Sequence, residues 1–264
     1  MNNFIEISST QNPLVKQVLV LKDKSRERKK SGLFVIEGQR EIELAKKGNY
    51  IFDTLLICTE IFGDDFTDFP ECKHYSITKN IFNKIAHRGS TEGIIAICQT
   101  KKHSLDTIIL RDNPLILVAE APEKPGNIGA LLRTADAANI DAVLIANPKS
   151  DVYNPNVIRS SVGCVFTTQI GEGSTKTIIQ FLKSKNCKIY CAALTASKNY
   201  IDVNFKTPSA IVVGTEATGL SDEWLNNSDA NIIIPMEGEI DSMNVSVSAA
   251  ILIFEAKRQR GFRL

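Results

Sequence analysis

Apolar residues fall into two different rhythms along the chain. From Ile7 to about Lys101 they come in short runs among many charges. Asn12-Pro13 opens a helical spacing through Val15, Val18, Leu19 and Leu21. Leu33 to Ile36 predicts a strand, and Arg40 to Lys47 a helix ended by Gly48. Thr54 to Cys58 and Gly93 to Cys98 predict further strands. These elements describe a small α/β domain over residues 1–101. Residues 102–113 carry a short apolar run between polar ends and are expected to be a linker.

From Pro114 to the last residue the rhythm changes to strands alternating with helices. Leu115 to Ala119 is a continuous apolar run, as in a strand buried on both faces. Ile128 to Ala138 has helical spacing, and Ala142 to Ile145 predicts the next strand. Asn154-Pro155 opens a helix, Val165 to Ile170 predicts a strand, and Ser174 caps a helix over Thr175 to Lys185. Lys188 to Ala193, Ala210 to Val213 and Asn231 to Ile234 predict strands. A short helix starts at Ser221, with Asp222 and Glu223 in its first turn. A last apolar helix ends near Glu255 to Arg258. Such alternation predicts an α/β domain over 114–264 built on a mostly parallel sheet.

Composition narrows the class. With 264 residues and 43% hydrophobic content the chain is an ordinary globular protein of one large or two small domains. No apolar run is long enough for a membrane span. Met1 to Glu6 lacks the pattern of a signal peptide, which predicts a cytoplasmic protein. Six cysteines and three histidines show no zinc-type spacing, so no metal is expected, and Cys187 and Cys191 read as small core residues. The net charge is only +1, but Leu14 to Lys47 holds ten Lys/Arg against five Asp/Glu. Lys22, Lys24, Arg26, Arg28, Lys29 and Lys30 form a basic run of the kind that meets phosphates; a solvated helix end is the plainer reading.

Parallel sheets bind ligands at the carboxyl ends of their strands. Three segments fall there: Glu120 to Arg133, Gly214 to Leu220, and Pro235 to Asn244. Gly214 and Gly219 have P-loop spacing, but Leu220-Ser221 stands where Lys and Ser/Thr would follow. A dinucleotide fingerprint is also missing, since Gly126 and Gly129 have no glycine before them at the required place. Arg133 reads either as a partner of Asp136 or as a guanidinium aimed at an RNA phosphate or ribose. Glu216 reads as a loop cap or as an orienting group. Ser242, Asn244, Ser246 and Ser248 crowd the start of the last helix, where one N-cap would suffice.

Taken together, the three segments resemble the three motifs of SPOUT-class RNA ribose methyltransferases of the SpoU/TrmH type. The first is Asn127-x-Gly129-x-x-x-Arg133-Thr134-Ala135. The second is Gly214-x-Glu216-x-x-Gly219-Leu220. The third is Ile234-Pro235-Met236 followed by Ser242 to Val247. Two positions depart from the usual pattern: Ala217 where glycine is frequent, and Met243 where leucine is common. Gln11 to Lys16 and Glu37-Gly38-x-Arg40 resemble the ribosomal-protein-like substrate-binding domain of rRNA enzymes in this family.

The resemblance implies an α/β parallel-sheet SPOUT domain with a C-terminal trefoil knot, preceded by a small α/β substrate-binding domain. It implies transfer of a methyl group from S-adenosylmethionine to a ribose 2′-hydroxyl, with ribosomal RNA as substrate. A tRNA substrate, or an RNA-binding assembly protein without activity, are the alternatives. By motif position the catalytic residues are Arg133, Asn127, Glu216, Ser242 and Asn244. The cofactor-binding residues are Gly214, Gly219, Ile234, Met236, Met243 and Thr195. RNA contacts fall to Lys16, Lys29, Lys30, Arg40 and Arg159. A homodimer formed through the catalytic domain is also implied, with the site completed by the partner chain.

Overall fold

A computed structural model describes residues 4–62, 70–87, 92–196, 198–215, 217–240 and 242–262. Glu216, expected at the site, lies outside the described residues. The chain divides into two compact units. One comprises residues 1–101 with Val152–Thr167; the other comprises Lys102–Asp151 with Thr168–Leu264.

The first unit begins with β1 (Ile5–Ile7), α1 (Pro13–Asp23), α2 (Ser25–Ser31), β2 (Leu33–Glu37) and α3 (Gln39–Lys47). It continues through β3 (Phe52–Ile57), α4 (Thr59–Phe62), β4 (Lys73–Ile77), α5 (Lys79–Ile85) and β5 (Ile94–Gln99). The sheet order is β1-β4-β3-β5-β2, with parallel pairs at β1/β4 and β3/β4 and antiparallel pairs at β3/β5 and β2/β5. Asn12 caps α1 by accepting from the Leu14 N–H at 2.9 Å, as Asn-Pro at a helix start predicts. Val15, Val18 and Leu21 of α1 meet Ile81, Phe82 and Ile85 of α5 over the sheet.

The second unit holds β6 (Leu115–Glu120), α6 (Pro125–Ala137) and β7 (Ala142–Ala146). Next in the chain comes α7 (Pro155–Ser160), which belongs to the first unit. The second unit resumes with β8 (Ile170–Gly173), α8 (Thr175–Ser184), β9 (Lys188–Ala192), β10 (Lys198–Asn199) and β11 (Ser209–Val213). It ends with α9 (Asp222–Asn227), β12 (Ala230–Ile233) and α10 (Val245–Arg260). Its seven strands run parallel in the order β10-β12-β9-β11-β6-β7-β8. The two-residue period of a strand sorts side chains between the faces. Ile116, Val118, Leu144, Cys191 and Val212 meet Ile178 and Leu182 of α8 and Trp224 of α9 in one core. The alternate positions face α6 and α10, which pack on each other and on β7 and β11.

Two expectations need correction. Val165 to Ile170 is not a strand: Cys164–Phe166 is a turn of 3-10 helix, and β8 begins only at Ile170. Val162 and Gly163 turn the backbone left-handed just before it (φ +53° and +82°). Phe166 then joins an aromatic cluster with Phe34, Tyr50 and Tyr153 in the first unit. Burial there, not strand pairing, explains the apolar run. The segment expected as a linker is also folded: Leu105–Thr107 is a 3-10 turn, Ile108 is buried, and the His103 carbonyl accepts from the Glu172 N–H at 2.7 Å.

The end of α10 is latched. Arg260 donates to the carbonyls of Phe205 (2.7 Å), Asn113 (2.9 Å), Pro114 (3.1 Å) and Thr207 (2.5 Å). Gln259 adds a bond to the Val203 carbonyl and accepts from the Phe205 N–H. Nearby, Asp141 accepts from the Arg111 side chain and from the Leu115 N–H. Burial pushes the Asp141 carboxyl up, but these donors outweigh it and hold it below the ordinary carboxylate value.

Candidate active site

The strand order reverses between β6, which leads through α6 to β7 on one side, and β11, whose chain continues to β12 on the other. Parallel sheets hold their ligands at such a switch. A cleft of about 300 Å³ opens there, lined by Ala119, Lys124, Asn127, Leu131, Gly214 and Val245 among others. That volume lies within the range of small-molecule sites. Because β12, β9, β11 and β6 are neighbours, the loops after them share one edge of the sheet. Those loops carry Ile234 and Met236, Thr195, and Gly214 and Gly219; the loop after β6 leads into the first turn of α6, which carries Asn127.

The Gly214–Leu220 loop doubles back on itself. Thr215 and Gly219 exchange backbone hydrogen bonds of 3.1 Å, and the Thr215 hydroxyl accepts from the Thr218 N–H at 3.0 Å. Gly219 takes the left-handed conformation (φ +67°), which costs glycine little. A Cβ on Gly214 would lie 2.3 Å from the Gly219 backbone and 2.6 Å from the Leu220 nitrogen. This is a cradle that only a residue without a side chain can form.

Asn244 caps α10: its side-chain oxygen accepts from the Ser246 N–H (2.9 Å) and the Ser246 hydroxyl (2.6 Å). A backbone N–H can only donate, so that atom of Asn244 is the oxygen. Its amide nitrogen therefore donates to the Asn127 side-chain oxygen at 3.1 Å. Whatever else the Asn127 amide contacts through its nitrogen, it contacts as a donor. Of the polar groups at the start of α10, Asn244 and Ser246 form the cap, and Asn244 also orients Asn127.

The structure brings Asn127 and Gly214 into one cleft and joins Asn244 to Asn127. Arg133 is exposed on α6, roughly 120° around the helix from Asn127, and does not line that cleft. The expected alternative, an ion pair with Asp136, is not formed; among the described residues Arg133 has no hydrogen-bonding or ionic partner. Ser242 and Thr195 are exposed, and Ile234, Met236 and Met243 are half-buried, all outside the cleft lining. Sequence reasoning missed Lys124, Leu131 and Val245 as lining residues. Only their neighbourhood to Asn127 and Asn244 could have pointed to them.

The basic run also needs correction. Arg28 is buried and donates to the carbonyls of Leu21 (2.6 Å) and Lys22 (3.0 Å). Lys22 pairs with Glu37 at 2.5 Å and donates to the Ile85 carbonyl. Arg28 holds the α1–α2 corner of the first unit, and Lys22 ties the end of α1 to β2 and α5. Lys24, Arg26, Lys29 and Lys30 remain exposed, as do Lys16, Arg40 and Arg159. All six cysteines are free thiols. Burial pushes the Cys187 thiol up to about 11, the behaviour of a core residue.

The parallel sheet, the cleft at its switch point and the three motif loops define a SpoU-type RNA methylase. The chain belongs to the SpoU rRNA Methylase family, whose sequence model matches residues 114–254; a model of the MRM3-like substrate binding domain matches residues 12–96. It is similar to the 23S rRNA (guanosine(2553)-2′-O)-methyltransferase RlmP of Bacillus subtilis, with 30% identity over 96% of this chain and 99% of that protein. A solved RNA 2′-O ribose methyltransferase is 35% identical, with a TM-score of 0.83 over 97% of this chain and 99% of that one. The AdoMet-bound structure of AviRb from Streptomyces viridochromogenes shares the fold at 23% identity, with a TM-score of 0.86 over 95% and 98% of the two chains.

Proposed function

We propose that this protein transfers a methyl group from S-adenosylmethionine to a ribose 2′-hydroxyl of ribosomal RNA, in the cytoplasm and as a homodimer. The observation that carries this reading is the meeting of the motif loops at the β6/β11 switch, with Asn244 fixing the Asn127 amide beside the Gly214 cradle. S-adenosylmethionine, when bound, supplies an electrophilic methyl group on a sulfonium, so the donor needs no metal to activate it. The turned-back Gly214–Leu220 loop and the segment from Ile234 to Met243 hold it mainly through backbone groups.

The ribose hydroxyl is a weak nucleophile, and negative charge develops on its oxygen as the proton passes to solvent water. A fixed cation lowers the cost of that charge. Arg133 supplies it. A guanidinium has five donors and no acceptor, so Arg133 stabilises the oxyanion or an adjoining phosphate and does not take the proton. Asn127 donates through its amide nitrogen to the same substrate; Ser242 and Glu216 are assigned to that substrate by their motif positions alone. Since Arg133 stands outside its own chain's cleft lining, it serves the site completed by the partner protomer. The exposed Val247 (47%) and Phe254 (40%) on α10 support burial of that helix against a second copy.

The first unit docks the RNA through Lys16, Lys29, Lys30, Arg40 and Arg159. Reversing charge at Lys29 and Lys30 together is expected to weaken RNA binding about tenfold near physiological salt and to flatten the salt slope by about two. Unchanged affinity and slope would exclude α2 from the docking surface. The reaction itself is tested by mapping ribose 2′-O-methylation across all RNA in cells with and without the gene. One site is expected to vanish from ribosomal RNA. A lost tRNA site would overturn the substrate, and a map with no lost site would overturn the activity.

A further inference from the structure

Glu120 is the only charged residue in an otherwise apolar β6, and it is 6% exposed. Its carboxylate collects donors from two helices. The Ser221 N–H reaches Oε2 at 2.8 Å; the hydroxyls of Ser221 and Thr175 reach Oε1 at 2.7 and 3.1 Å. The Thr175 hydroxyl in turn accepts from the Asn147 amide at 2.9 Å, which leaves its own proton for Glu120. Every group that meets Glu120 in this network can therefore donate to it, the arrangement an ionised carboxylate satisfies.

Ser221 stands at the N-cap of α9, where a serine hydroxyl ordinarily bonds a first-turn N–H. Here its side chain makes no capping bond, because it is turned to Glu120. Ser221 also ends the Gly214–Leu220 loop. The upstream end of that loop is held to β6 by the ladder, with Val213 opposite Ala119. Its downstream end is held to the next residue of β6 by Glu120. The period of the strand puts Ala119 on the cleft face and Glu120 on the opposite one, so neighbouring residues of one strand grip both ends of the loop. At Ala121 the backbone then turns left-handed (φ +43°) and enters the cleft rim at Pro122 to Lys124.

We propose that Glu120 is a positioning residue for the Gly214–Leu220 loop, setting the closed shape that binds S-adenosylmethionine from the far side of the sheet. This rests on the reading of that loop as the cofactor cradle. The full-length protein is titrated with S-adenosylmethionine by calorimetry, and RNA affinity and thermal midpoint are measured on the same samples. Glu120→Gln keeps the volume but places an NH₂ group among donors. It is expected to weaken cofactor binding at least about tenfold, while RNA affinity stays within about twofold. Ser221→Ala is expected to weaken cofactor binding less. The double variant should match Glu120→Gln alone, because both changes break one network.

Cofactor affinity within about twofold of wild type in Glu120→Gln would overturn the proposal. So would an equal loss of RNA affinity, which marks general damage. If Glu120→Gln does not fold, Ser221→Ala decides: unchanged cofactor affinity there also overturns it. A wild-type protein that takes up no S-adenosylmethionine would instead overturn the cofactor reading of the loop.

Discussion

Arg133→Ala is expected to lose at least about 10³-fold in methyl transfer while keeping S-adenosylmethionine affinity within about twofold. The asymmetry follows from where the residue stands. Arg133 is exposed on α6, outside the cleft lining, and pairs with no described residue. Its removal leaves no buried partner unpaired and no cavity, so stability should hold. What is lost is the cation beside the developing oxyanion. Arg133→Lys separates charge from shape. An ammonium keeps the charge but not the planar fork, so an intermediate rate means charge stabilisation with partial loss of orientation. Single-turnover methylation of RNA at saturating cofactor, beside calorimetry, checks both. Turnover unchanged in Arg133→Ala would sink the assignment of this residue.

Much of the fold was legible because local signals agreed with burial. Asn12-Pro13, Asn154-Pro155 and Ser174 cap the helices they were expected to open. The continuous run Leu115 to Ala119 is buried on both faces, as a central parallel strand must be. The strand expected over Val165 to Ile170 fails because an apolar run reports burial and not the structure that achieves it. Val165 and Phe166 are buried in a 3-10 turn against the aromatic residues of the first unit. Two short strands, β4 inside the first sheet and β1 at its edge, carry too weak a pattern to be seen. Lys73 to Ile77 is mostly half-buried, and Ile5 to Ile7 has one buried side chain.

The site was legible only where chemistry and backbone demands coincide. Asn127, Gly214 and Asn244 stood out because glycines and surplus polar groups interrupt apolar elements, and the structure gathers these three. Charge counting served less well. Arg28 and Lys22 looked like part of a docking run, yet both are spent on carbonyls inside the first unit. The role of Glu120 is not legible in the sequence, because a carboxylate at a strand end resembles a solvated residue. Its partners, Thr175 and Ser221, are 55 and 101 residues away, and no local pattern ties them together.

Gly214→Ala should abolish productive cofactor binding, weakening it by at least about 100-fold, with a lower thermal midpoint. The added Cβ would sit 2.3 Å from both the carbonyl carbon and oxygen of Gly219, and 2.6 Å from the Leu220 nitrogen. These are backbone atoms and cannot swing aside as a side-chain end can. Overpacking of this kind costs about 1–3 kcal/mol or more, and each 1.4 kcal/mol is a factor of ten. Part of the strain is relieved by opening the Thr215–Gly219 turn, which moves the backbone that faces the cleft. Gly126→Ala is the matched control. Apart from its chain neighbours and the backbone of its own helix, no described atom lies within 4 Å of its would-be Cβ, and alanine suits the first turn of α6 better than glycine. It should bind S-adenosylmethionine within about threefold of wild type and melt no lower. If the two variants bound the cofactor equally well, the Gly214–Leu220 loop would not be its cradle.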